Sequence, residues 1–184
     1  MLVAVLEGEG AVVDAPVRVG VTGHRTIGDV VVVSGRVDEV LLDIAGDEPG
    51  RRLLAVSALA EGADRLVAER VLARGGGVEV ILPLPADDYE QDFADAGSRA
   101  EFRRLLAVAT DVRIASFAGP TRDDAYLAAG RGVVERCDVL LALWDGEASR
   151  GRGGTAEIVE MARATGHPVR VVLITRAGTA AADS

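Results

Sequence analysis

Short runs rich in apolar residues recur along this chain and alternate with stretches whose apolar residues fall three or four apart. The runs Val17 to Val21, Leu53 to Ser57, Val78 to Leu82, Val112 to Ser116, Asp138 to Trp144 and Val169 to Ile174 predict strands. In the run that ends at Trp144 the apolar residues are continuous, which is what a parallel sheet covered on both faces requires. Between them, Val33, Val37, Val40, Leu41 and Ile44 fall at helical spacing, as do Ala63, Leu66, Val67 and Val71. Phe102, Leu105, Leu106 and Ala109 mark a third helix, and Tyr126, Ala129, Val133 and Val134 a fourth. A fifth opens at Thr155. The four valines from Val30 favour a strand taken alone, but the pattern after them reads as helix ending near Gly46.

Strands alternating with helices predict an α/β fold: one Rossmann-like three-layer domain with a mostly parallel sheet over residues 17–175. Residues 1–16 are expected to form an N-terminal arm or edge strand, and 176–184 a flexible tail. The segment from Asp87 to Phe93 reads as an acidic loop, and Ser98 with Glu101 has the spacing of a helix capping box. Asp123 or Asp124 is expected to start the fourth helix.

Composition narrows the class. At 184 residues the chain suits one domain with a sizeable core, and with aromatics at 3% that core falls to Val, Leu, Ile and Ala. The net charge of -9 disfavours a nucleic acid polymer as partner, while leaving room for a small anion held by a few arginines. Lysine is absent, so every basic side chain apart from histidine is an arginine. The single cysteine, Cys137, excludes an internal disulfide and reads as a buried inert thiol. No apolar run approaches the ~20 residues that cross a bilayer, and the first residues lack a basic leader pattern, so cytoplasmic residence is expected.

In a parallel sheet the loops after the strands gather at one edge, where open α/β sheets hold ligands. There Thr22, Gly23, His24 and Arg25 follow the first strand, with Gly23 permitting close approach and Arg25 able to grip a phosphate. Glu61 and Gly62 follow the second strand and offer an anion or ribose contact. Asp64 lies in the first turn of a helix, where a carboxylate complements the helix dipole. Asp145 and Gly146 follow the most apolar strand; Asp145 can accept from ribose hydroxyls or simply form a turn. Gly153, Gly154 and Thr155 open a helix with free N–H groups and a hydroxyl, as a phosphate site requires. Glycines in such loops also serve tight turns alone, and both readings stand at this point. His24 and His167 fall at opposite edges of the sheet, so no metal pair is expected, and no cofactor is implied.

The TGHR loop, SALAEGAD, CDVLLALWDG and GGTAEIVEMA together resemble the SLOG superfamily of Rossmann-like domains over about residues 17 to 174. That group includes the LONELY GUY phosphoribohydrolases and the core of DNA-processing protein A. The resemblance implies a nucleotide or nucleotide-derived ligand, a sensing or binding role, and a possible homodimer. It also raises N-glycosidic cleavage as an alternative. The enzymes' PGGxGTxxE pattern places its glutamate at Ile158 here, and Glu157 stands one residue early, rotated by roughly 100° on a helix. Glu157 and Asp145 are the candidate catalytic acids if cleavage occurs.

Overall fold

In a computed structural model, which describes residues 15–148 and 153–175, six parallel strands form one sheet. Residues 1–14 of the expected arm or edge strand and the expected tail at 176–184 lie outside the described residues. Chain order is β1 (Val17–Gly23), α1 (Val30–Asp47), β2 (Leu53–Ser57), α2 (Ala63–Leu72), β3 (Gly77–Leu82), α3 (Ala86–Tyr89), α4 (Ala96–Ala107), β4 (Asp111–Ile114), α5 (Arg122–Arg136), β5 (Val139–Trp144), α6 (Thr155–Ala164) and β6 (Val169–Leu173). The spatial order is β4-β3-β2-β1-β5-β6. All five strand pairs are parallel, so the mostly parallel expectation becomes wholly parallel.

Helices α1, α2 and α4 pack on one face through Val37, Leu41, Val67, Val71, Phe102 and Leu105. Helices α5 and α6 cover the other through Ala129, Val133, Ile158 and Val159. The valine run resolves as helix because the Asp29 carboxylate caps it, accepting from Val32 N–H at 3.1 Å. Val30, Val31 and Val32 then face outward, and Val33 begins the buried stripe.

Three local readings need correction. The acidic stretch is α3 followed by a 3-10 turn at Glu90–Asp92, entered from Pro85. It carries Tyr89 and Phe93 into an edge-to-face cluster with Phe102. The cap of α4 is Asp95, which accepts from Ser98 N–H at 2.8 Å; Ser98 and Glu101 instead bind Arg65 at 2.8 and 3.0 Å. Helix α5 starts at Arg122, before both expected aspartates, with Thr121 as cap and Asp124 as its capping-box partner. Cys137 is buried, its Sγ lying 3.4 Å from Val134 O, and burial pushes its thiol up to about 11, consistent with an inert role.

Candidate functional site

The chain steps outward from β1 to β4 and then returns to place β5 on the other flank of β1. This reversal opens a crevice beyond the carboxyl ends of β1 and β5, the place where doubly wound sheets hold ligands. Two glycines draw the loops together there. A Cβ on Gly23 would lie 2.4 Å from Ala63 Cβ and 2.8 Å from Leu143 O. Gly62 has φ of +78°, and a Cβ on it would meet Arg25 O at 2.3 Å. The loop after β1 is consequently clasped: His24 N–H donates to Leu143 O at 3.1 Å, and Ala63 N–H donates to His24 O at 3.1 Å.

Above this clasp lies an open cavity of about 420 Å³, within the range of small-molecule sites. Thr22, Gly23, His24 and Arg25 line one side, and Gly153, Gly154 and Thr155 line another. The structure thereby brings together two of the glycine-bearing loops singled out from sequence. Thr22 and Thr155 are each 9% exposed. Among the described residues neither hydroxyl has a hydrogen-bond partner, so both are left to the cavity. Helix α6 has Gly154 at its cap and no side-chain capping bond, which leaves its first N–H groups to serve an anion. Arg25 lies over the Tyr126 ring at 5.5 Å, and no carboxylate among the described residues stands within ion-pair distance of it.

The other sequence candidates stand apart from the cavity lining. Glu61 accepts from Ala94 N–H at 3.0 Å and from the Ser98 hydroxyl, tying the loop after β2 to the start of α4. Its carboxyl titrates below the usual range: burial opposes ionisation, and these bonds outweigh it. Gly62 serves the clasp. Asp145 Oδ1 lies 3.0 Å from His24 Nε2, which also accepts from the Asp145 backbone N–H at 3.4 Å, and Oδ1 accepts from Glu147 N–H at 3.0 Å. With Gly146 at φ of +84°, this is the turn-forming role that sequence left open. Glu157 Oε2 accepts from Gly153 N–H at 2.7 Å, so this acid braces the glycine loop. Ile158, at the position of the phosphoribohydrolase glutamate, does line the cavity, is 2% exposed and presses where a Cβ on Gly130 would stand, 2.4 Å away.

Several lining residues were not anticipated. Tyr89, Tyr126, Asp64 and Trp144 all face the cavity, so both tyrosines and the single tryptophan of the chain gather around it. In a sequence this poor in aromatics, that concentration was the available signal. Asp64 is buried at 6% exposure. Its Oδ2 accepts from Ser57 Oγ at 2.9 Å, Ala58 N–H at 3.1 Å and Ala60 N–H at 3.3 Å. Burial pushes its carboxyl up to about 6, against the pull of those hydrogen bonds. Arg65 fixes the same loop from beneath, donating from Nε to the carbonyl of Leu59 at 3.0 Å, where Leu59 holds a positive φ of 56°.

No family model matches the chain, and no curated protein matches it significantly. Solved structures do. DNA processing protein A from Streptococcus pneumoniae superposes with a TM-score of 0.59 at 18% identity, over 86% of this chain and 50% of that one. The Helicobacter pylori protein of the same name gives 0.59 at 17% identity, over 90% and 69%. The chain shares the Rossmann-like fold of these structures. It spans half the length of the streptococcal structure, and likeness at this identity concerns the fold. The H. pylori structure is described for a unique single-stranded DNA binding mode, so the same Rossmann-like fold is associated with a nucleic acid in that protein. The expectation that acidic charge disfavours such a partner here finds no support in these likenesses. Among the described residues no helix is long and apolar enough to cross a membrane, and no cluster of three or more metal-ligating side chains forms.

Proposed function

We propose that the cavity binds the phosphate of a nucleotide or nucleotide-derived ligand, and that the protein acts as a cytoplasmic binding or sensing protein. The observation that carries this reading is that the hydroxyls of Thr22 and Thr155, two largely buried residues, have no partner among the described residues and open on the cavity beside the uncapped start of α6. Buried polar groups are normally satisfied, and two that face a cavity at a helix N-terminus are suited to an anion supplied by a ligand. Arg25, which lines the cavity, adds the balancing charge.

Cleavage of an N-glycosidic bond is less well supported, because the acids proposed for it are engaged elsewhere. Glu157 braces Gly153, Asp145 holds His24, and the cavity wall offers Ile158. An oxocarbenium-like transition state needs a carboxylate beside the sugar, and an isobutyl-sized apolar group gives it no stabilisation.

The test is a thermal-shift screen with nucleoside monophosphates, ADP-ribose, NAD, cyclic nucleotides and a short single-stranded oligodeoxynucleotide, with released base assayed in parallel. A ligand at 100 times its dissociation constant stabilises the fold by roughly 2.7 kcal/mol. Thr155→Leu should abolish that shift and leave the unliganded melting temperature in place. A folded Thr155→Leu protein with undiminished affinity would remove this site from the binding reaction. A shift with base release would replace sensing by hydrolysis, and a shift from the oligonucleotide alone would make the ligand a polymer end or backbone.

A further inference from the structure

The cavity extends past the glycine loops toward the ends of β2 and β3, and the polar groups at that side are also incomplete. All three donors that reach Asp64 meet its Oδ2. Among the described residues Oδ1 has no hydrogen-bond partner, although the residue is 6% exposed and faces the cavity. Tyr89 is 1% exposed, with Phe93 and Phe102 against its ring at centroid distances of 4.9 and 5.7 Å. Its hydroxyl likewise has no partner among the described residues, and it too lines the cavity. The ionised Asp64 is close enough to hold the Tyr89 phenol, already raised by burial, further above its ordinary range. A carboxylate oxygen and a phenol hydroxyl, on two buried residues, thus open on the same cavity without a protein partner among the described residues.

We infer that Asp64 Oδ1 and the Tyr89 hydroxyl form a second subsite that binds the vicinal hydroxyls of a ribose, in a ligand whose phosphate lies against Thr155 and the start of α6. The inference rests on the phosphate reading above and specifies what adjoins the phosphate. A diol fits because one hydroxyl donates to the carboxylate while the other exchanges a hydrogen bond with the phenol. A stacked base does not fit here, since the Tyr89 ring packs edge-to-face with the two phenylalanines and the residue is 1% exposed. The remaining neighbours on this side, Ala58, Ala60 and Pro83, are small and leave room for a sugar ring. Aromatic faces lie instead with Tyr126 and Trp144.

The loop is built to hold Asp64 in this pose. Oδ2 is anchored by Ser57 and two backbone N–H groups, so Oδ1 points in a fixed direction before any ligand arrives. This arrangement also supplies a discriminating variant. In Asp64→Asn one oxygen can keep the three anchoring bonds, and the acceptor facing the cavity becomes an NH2 donor.

The test is calorimetric titration of wild type, Asp64→Asn and Tyr89→Phe with AMP, GMP, CMP and UMP, then with the 2′,3′-dideoxy form of the tightest binder, and separately with inorganic phosphate. Wild type should lose about tenfold or more in affinity on removal of the diol. Each variant should lose about tenfold toward the ribonucleotide, yet bind the dideoxy form within about twofold of wild type. Circular dichroism melts check that the variants are folded; if one is not, the other carries the test. Variants that keep the full ribose preference overturn the inference. Binding of phosphate or nucleotides with no discrimination against the dideoxy form, or of phosphate alone, overturns it while sparing the phosphate site. Binding of none of these probes overturns both.

Discussion

The two edges of the sheet hold similar polar side chains and treat them in opposite ways. At the amino edge the buried carboxylate of Glu79 is answered within the fold. Glu79 on β3, 2% exposed, accepts from Arg136 at the end of α5 at 2.5 Å and from Arg18 on β1 at 3.3 Å. Asp138, leading into β5, accepts from Arg18 N–H at 2.8 Å and lies 3.8 Å from Arg51. At the carboxyl edge Asp64, Tyr89, Thr22 and Thr155 are just as enclosed, but each keeps a bonding position directed into the cavity. Polar groups closed on one another contribute to holding the fold. Polar groups that open on a cavity make no such contribution and are available to a ligand that completes them.

The largest effect expected from this contrast is in the pH dependence of stability. Asp64 titrates near 6 in the folded protein against an ordinary value of 3.8. The unfolded chain therefore releases this proton first, and the folded state loses stability as pH rises from about 4 through 6. Asp64→Asn lacks that loss, so the wild-type-minus-variant difference in unfolding free energy should become less favourable to wild type by on the order of 3 kcal/mol between pH 4 and 7. Urea titrations across that range measure it, and a flat difference would show that the carboxyl is not raised.

Glu79→Ala at the opposite edge should cost about 2–3 kcal/mol at neutral pH, since it leaves two guanidinium groups facing each other across a vacated site. Their one-third exposure keeps the cost below that of a fully enclosed pair. Ligand affinity should be unchanged, which titration of the same variant checks. The double change Thr22→Val and Thr155→Val should move stability by less than about 1 kcal/mol, because hydroxyls without partners are being removed, while weakening phosphate binding by about tenfold or more. The smallest stability effect belongs to Arg25→Gln. Loss of its contact with Tyr126 is worth about 0.5–1 kcal/mol, and the change should be seen chiefly as reduced salt dependence of ligand binding.

The layering of the fold was legible because strands buried on both faces must be continuous apolar runs and covering helices must show a 3.6-residue period. Val139 to Trp144 and Ile158, Val159 and Ala162 meet those demands without reference to anything else. The glycine loops were legible for a similar local reason, since Gly23, Gly153 and Gly154 stand at element ends. What escaped depended on partners remote in sequence. Asp145 is spoken for by His24, which is 121 residues earlier, and Glu61 by Ser98, which is 37 residues later. Asp64 escaped for another reason: a first-turn aspartate already has an explanation in the helix dipole, and only coordinates reveal that one of its oxygens is left over.

Trp144 gives the cavity its own optical signal. It is the single tryptophan of the chain, its indole N–H is held by Glu147 O at 2.9 Å, and it forms part of the wall. All tryptophan emission from this protein therefore originates beside the proposed ligand, with no second emitter elsewhere to dilute it. A stopped-flow fluorimeter can follow occupancy in the unlabelled, unmodified chain, and the kinetics of arrival and departure become as accessible as the equilibrium.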